Sequence, residues 1–184
     1  MFTSQNGNLV QGDLVAGDKE VNNYFVQSNG TAIVSLYSRL RSGDQAYKSK
    51  ISEQLQHYCN ESTDGDVRGL EVKLHASNRQ DMLRIAARLK QDATMLIMKY
   101  QTSPIAQDIL TLVLSKIYSD FLLQVTPSIE EGASRSYIDN LIVEKVINPA
   151  IVMLGENDLM ITDADVLGLL YYLGGNCHVR WDKC

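Results

Sequence analysis

The tightest constraint on the fold is a stripe of apolar residues, Met82, Ile85, Ala86, Leu89, Ala93, Leu96, Ile97 and Tyr100, recurring at steps of three and four. That spacing puts the stripe on one side of a helix of about 3.6 residues per turn, with Arg84 and Arg88 opposite it. A long amphipathic helix buries its stripe only against other elements, and the rest of the chain repeats the same period. Ile33, Leu36, Tyr37 and Leu40 mark a first helix from Ala32, stopping at Ser42-Gly43. Tyr47, Ile51, Leu55 and Tyr58 stripe a second. Residues 66–76 fit a helix through Val67, Leu70 and Leu74, although Leu70, Val72 and Leu74 also alternate; with no partner strand nearby, helix is preferred.

Ser103-Pro104 reads as N-cap and first residue of the next helix, which runs to about Val125 and ends before Pro127. Apolar over most of its circumference, including Leu122 and Leu123, it is the expected central helix. Another starts near Ser136 and is kinked or stopped at Pro149. Thr162 with Asp165 forms a capping box for a last helix that Gly174-Gly175 closes. The tail from Asn176 to Trp181 alternates and is expected to run extended. The fold class is mainly α, a bundle of six to seven helices over residues 31–184.

Residues 1–30 follow a different rule. Gly7-Asn8, Gly12-Asp13, Gly17-Asp18 and Asn22-Asn23 fall every five residues, with apolar residues between. Gly, Asn and Asp tolerate positive φ and can place a corner at each step, so the segment reads as β-like coil. Four such units cannot bury their own apolar side chains. Either the segment is a mobile tail or it stacks against copies from other chains; the apolar content favours assembly, which makes Leu9, Val10, Leu14, Val15 and Val21 candidate oligomerisation residues.

Composition narrows the function classes. Apolar residues make up 45% of 184, ordinary for a globular chain. Lys plus Arg number 17 against 22 Asp plus Glu, a net −5 that excludes a generally basic coat for nucleic acid. The greasiest stretch, Ile105 to Val125, carries Asp108, Lys116 and Asp120, which argues against a membrane span. Met1 to Val10 lacks the charged and apolar regions of a signal peptide. Three cysteines do not make a disulfide framework, and a cytoplasmic location is expected.

The residues that could carry chemistry are few. His57 with Cys59, and Cys177 with His178, lack the paired spacing of a zinc site, and Cys184 is terminal. A Cys177 nucleophile served by His57 or His75 is conceivable, but Cys177 and His178 face opposite sides of an extended tail. Phosphate-binding glycine loops are absent. No cofactor, metal or catalytic group is expected. Arg79, Arg84, Arg88, Lys90 and Lys99, against Asp81 and Asp92, give one basic face suited to an acidic protein or a nucleic-acid backbone. Aromatic residues do not interleave with it, so base stacking is not indicated.

The end of the chain, from Val166-Leu167-Gly168 through Tyr171-Tyr172-Leu173-Gly174-Gly175-Asn176-Cys177-His178-Val179-Arg180-Trp181, resembles the "GMLYFLTGNCHIKW" signature of the C-terminal domains of ABC three-component systems. These are the bacterial anti-phage group that includes Lamassu. The N-terminal repeats resemble the GNxVxGD segments that often precede such domains. The resemblance implies a domain joined to an effector and coupled to an SMC/ABC-type ATPase. This chain departs from the pattern in that the residues before Tyr24 are too few for a catalytic domain.

Read physically, the signature is a docking strip: Gly168 lets a neighbouring helix approach, and Tyr171, Tyr172 and Trp181 are amphipathic anchors. Closing the bundle is an equal use for Tyr171 and Leu173. Asn176 and His178 are expected to hydrogen-bond backbone where the chain leaves the helix. The expected function is a non-enzymatic assembly module that oligomerises and links an effector to the ATPase. Its partner-binding candidates are Arg84, Arg88, Tyr172 and Trp181. The alternatives are the excised end of a nuclease or peptidase effector, and a small nucleic-acid-binding protein using the basic face.

Overall fold

The computed structural model describes residues 24–49, 51–60 and 68–182. Leu9, Val10, Leu14, Val15 and Val21 lie outside the described residues, as does Cys184. Seven helices, and no strand, occur among the described residues: α1 (Tyr24–Ser42), α2 (Ser52–Cys59), α3 (Leu70–Ala76), α4 (Leu83–Lys99), α5 (Pro104–Glu130), α6 (residues 135–154) and α7 (Asp163–Gly175). Helix α1 begins at Tyr24, eight residues before the expected start at Ala32. It ends at Ser42 with Gly43 in the left-handed region at φ 63°, a glycine terminator.

The start signals act as read. The Ser103 hydroxyl accepts from the Ala106 amide at 3.3 Å, ahead of Pro104 in α5. The Thr162 hydroxyl accepts from the Asp165 amide, and the Asp165 carboxylate accepts from the Thr162 amide at 2.8 Å, closing the capping box of α7.

The prolines act differently from expectation. Helix α5 does not end at Val125. It passes through a π-helical turn, Phe121–Val125, and resumes over Thr126–Glu130 with Pro127 in its first turn. Helix α6 repeats the device: Arg135–Leu141, a π turn at Ile142–Ile147, then Asn148–Leu154 with Pro149 in the first turn. A proline cannot donate to the preceding turn, and its ring crowds the carbonyl four residues back; a wider i→i+5 turn relieves both. The buried residues show why the turns recur. Ile117, Phe121, Val125 and Ile129 step by four, as do Ile138, Ile142, Val146, Ala150 and Leu154. Each step of four overshoots a 3.6-residue period by about 40°, and the π turns take up that drift. Leu122 and Leu123 are consequently turned out to solvent, against expectation.

By length and hydropathy α5 is apolar enough to cross a membrane, yet it serves as the core helix of this bundle. Ala106, Ile109, Leu110, Val113, Leu114 and Ile117 are fully enclosed, and its buried Asp108 accepts from the hydroxyls of Tyr47 (2.6 Å) and Ser49 in the α1–α2 link. Helices α1 and α2 pack on one side of α5 and α7 on another. Helix α4 lies outside α7, and that pair makes the most extensive helix contact in the molecule. Gly168 sets their closeness: a Cβ there would lie 2.7 Å from the Leu89 carbonyl oxygen and 3.3 Å from the Ala93 Cβ.

Candidate functional site

The C-terminal signature forms a clasp that ties the ends of α2, α3 and α7 together. Helix α7 closes in a Schellman turn: the His178 amide donates to the Leu173 carbonyl at 2.9 Å and the Cys177 amide to that of Gly174 at 3.4 Å. The left-handed position of that turn is Cys177, at φ 65°, where glycine is usual. Gly174 and Gly175 are the last two residues of the helix, which ends where the sequence indicates, but neither takes the left-handed closing position. They leave room instead. A Cβ on Gly174 would meet the Trp181 ring at 2.6–2.7 Å, and one on Gly175 would run into the Lys90 stem.

The polar side chains of the tail and its tryptophan have partners from other elements. The Asn176 amide donates to the Tyr58 carbonyl (3.0 Å) and the Cys59 carbonyl (3.4 Å), capping the end of α2. Asn176 thus bonds backbone as expected, but that of α2 rather than its own helix. Cys177 donates from Sγ to the Arg68 carbonyl at 3.4 Å. Trp181 is 5% exposed and meets Phe121 edge-on at 5.9 Å between centroids and Tyr171 at 5.6 Å. Asp182 pairs with Arg68 at 2.7 Å. The tail is therefore a turn followed by irregular chain, not an extended strand.

Lys73 is the residue that sequence reasoning missed. It sits on α3, is 2% exposed, and its ammonium donates to the carbonyls of Gly174 (2.7 Å) and Val179 (3.1 Å). Burial lowers its pKa from the ordinary value, while the neighbouring Cys177 and Asp182 pull it back up and Arg68 opposes them. A cation among the last carbonyls of α7 also suits the negative end of that helix. No spacing in the sequence marks this lysine, since its partners lie a hundred residues away.

His178 faces α2. Its Nε2 lies 3.1 Å from the Asn60 carbonyl, and its ring packs against His57 (5.0 Å), Tyr58 (5.6 Å) and Tyr118 (6.2 Å). Burial, with a smaller part from the neighbouring His57, holds its pKa below 6.5, while bonds to backbone oppose the shift. The unfolded chain therefore takes up this proton first, so stability from His178 is complete above about pH 6.5 and is lost as pH falls below it. Between about pH 7.5 and about pH 5.5 the melting temperature is expected to fall more steeply for the wild type than for His178→Gln. Parallel melting curves for the two would show that another group carries the acid sensitivity.

The imidazoles of His57 and His178, far apart in sequence, come together, yet among the described residues no group of three His, Cys, Asp or Glu is placed to hold a metal. Cys177 and His178 point to different neighbours, the Arg68 carbonyl and the Asn60 carbonyl, in keeping with the expectation that these two do not share one pocket. Tyr172 is 7% exposed, and burial, with a smaller part from the neighbouring Cys59, raises its pKa. Tyr172 and Trp181, candidates for partner binding, are both packed inside the bundle.

The basic face is smaller than the sequence indicates. Arg79 precedes α4, is buried, and pairs with Asp139 at 2.7 Å. Lys90 lies along Gly175, and Asp81 is held by two nitrogens of Arg135 at 2.7 Å each. Arg84, Arg88 and Lys99 remain exposed. Ile85, read as part of the buried stripe, is exposed, because among the described residues α4 packs mainly on α7 along one side. A cleft of about 260 Å³ opens beside Trp181, between the α3–α4 turn and the start of α6, with Arg79 and Ile138 in its wall.

No curated protein and no solved structure matches the chain. The family model for C-terminal domain 9 of the ABC-three component (ABC-3C) systems matches residues 69–181, from the residue before α3 to the tryptophan of the clasp. Its span takes in α3 to α7 and the tail as far as Trp181, leaving out α1 and α2, and it covers more than half of the sequence. The chain belongs to the family of C-terminal domain 9 of the ABC-three component systems.

Proposed function

We propose that this chain is a non-enzymatic coupling module of a bacterial anti-phage ABC three-component system, working in the cytoplasm. It links an effector to an SMC/ABC-type ATPase, and its N-terminal repeats join copies of the chain. One observation carries the reading. The chemistry-bearing side chains of the clasp, Asn176, Cys177 and His178 of the signature with Lys73 and Asp182 beside it, each bond to this chain's own backbone or pair with one of its own side chains. Groups so engaged serve the fold, and what they leave for function is surface recognition. Family membership supports protein partners, since such a domain belongs to a multi-component system.

The test is co-purification of the tagged full chain with the ATPase and effector encoded beside it, with light scattering to give its mass. Retention of both partners is expected, and a chain lacking residues 1–28 should have fewer copies per particle while remaining folded. Failure to retain the ATPase would overturn the coupling role. An unchanged mass after truncation would assign oligomerisation to the helices.

A further inference from the structure

We propose that the outer face of α4 is the docking site for an acidic amphipathic helix of the ATPase partner, an inference that rests on the coupling role above. Arg84, Arg88, Gln91, Met95 and Met98 are all exposed and step by four, three, four and three, a straight stripe opposite the face seated on α7. A 3.5-residue repeat is the spacing by which one helix lies along another. From Arg84 to Met98 the stripe runs about 21 Å, room for about four turns of a partner helix.

The two halves of the stripe differ in chemistry. Its first half is cationic, with Arg88 84% exposed and only a 3.8 Å contact to Asp92. Arg84 makes no ion pair among the described residues. Its second half offers Met95 and Met98, 53% and 57% exposed, flexible thioethers that adapt to a partner surface. Lys99, beside them, lies over the Tyr100 ring at 4.9 Å. Three cations against one carboxylate stand out on a chain whose net charge is −5.

That sign selects the occupant. A second copy of α4 would set arginines near arginines if parallel and against methionines if antiparallel, leaving the cations without carboxylates either way, and no other helix among the described residues shows an exposed acidic stripe of this length. A nucleic-acid backbone would use Arg84 and Arg88 but not the methionines, and would be repelled by the net charge. A helix with carboxylates at one end and apolar side chains at the other satisfies both halves.

Two double variants test this on the full chain with the ATPase: Arg84→Glu with Arg88→Glu, and Met95→Ala with Met98→Ala. All four positions are exposed, so both variants should melt with the wild type. Charge reversal is expected to weaken ATPase binding about a hundredfold and methionine truncation about tenfold, with effector binding unchanged. Wild-type binding with both variants equally tight would overturn the α4 site and leave the coupling role standing. No binding even by the wild type would remove the coupling role itself. Charge reversal that abolishes binding of a 30-base-pair duplex instead, or that halves the particle mass, would reassign the face to nucleic acid or to self-association.

Discussion

Replacing Trp181 by alanine is expected to destabilise the protein by about 3–5 kcal/mol, the range for removing a buried aromatic ring. The ring is 5% exposed, sits where Gly174 has no side chain, and contacts both Phe121 of α5 and Tyr171 of α7. Alanine would leave that seat empty, because neither helix backbone can close on it. The loss extends to neighbours, since Trp181 lies between Val179, whose carbonyl accepts from Lys73, and Asp182, which pairs with Arg68. Against a total stability of about 5–15 kcal/mol this is a large fraction, and a drop in melting temperature of about 10 °C follows. Trp181→Phe should retain more than half of the stability difference. A melting curve for Trp181→Ala within about 2 °C of the wild type would show that the tail is peripheral to the bundle.

Much of this architecture is legible in the sequence, and the exceptions have physical causes. The α4 stripe, the Ser103-Pro104 start and the Thr162–Asp165 capping box depend on neighbours a few residues away, so local spacing suffices to find them. The π turns are not legible because Pro127 reads as a stop and Pro149 as a kink or a stop; the steps of four on both sides of each proline carry the contrary signal. Trp181 could not be assigned from its type, since tryptophan anchors cores and interfaces alike. What decides it is Gly174, seven residues earlier, whose missing side chain makes the seat for the ring. Cys177 in a left-handed position and Lys73 among distant carbonyls left no local trace. Ile85 joined the buried stripe on spacing alone, although a helix covered on one side buries a narrower face than its apolar residues mark.

At Gly168, in the α4–α7 contact, two effects oppose each other and their sizes predict the sign. Alanine is the better helix former by about 1 kcal/mol, so propensity alone would have Gly168→Ala stabilise α7. The added Cβ, however, would lie 2.7 Å from a backbone oxygen of α4 and 3.3 Å from the Ala93 methyl. A backbone carbonyl cannot rotate aside as a side-chain tip can, so α4 must move outward as a unit along its whole contact with α7. Overpacking of that kind costs about 1–3 kcal/mol, and a branched side chain lies at the top of the range. Gly168→Ala is therefore expected to lower the melting temperature slightly, and Gly168→Val to cost about 3 kcal/mol. Gly69→Ala, where a Cβ meets nothing within 4 Å, should show no overpacking and lose only the preference of a helix N-cap for glycine over alanine. A stabilised Gly168→Ala variant would mean that α4 and α7 are not held this closely in solution. If they are, the shift also displaces Arg84 and Met95 relative to the rest of the bundle. ATPase binding by the folded alanine variant should weaken only where the partner spans α4 and a neighbouring element, because the stripe itself moves without changing shape.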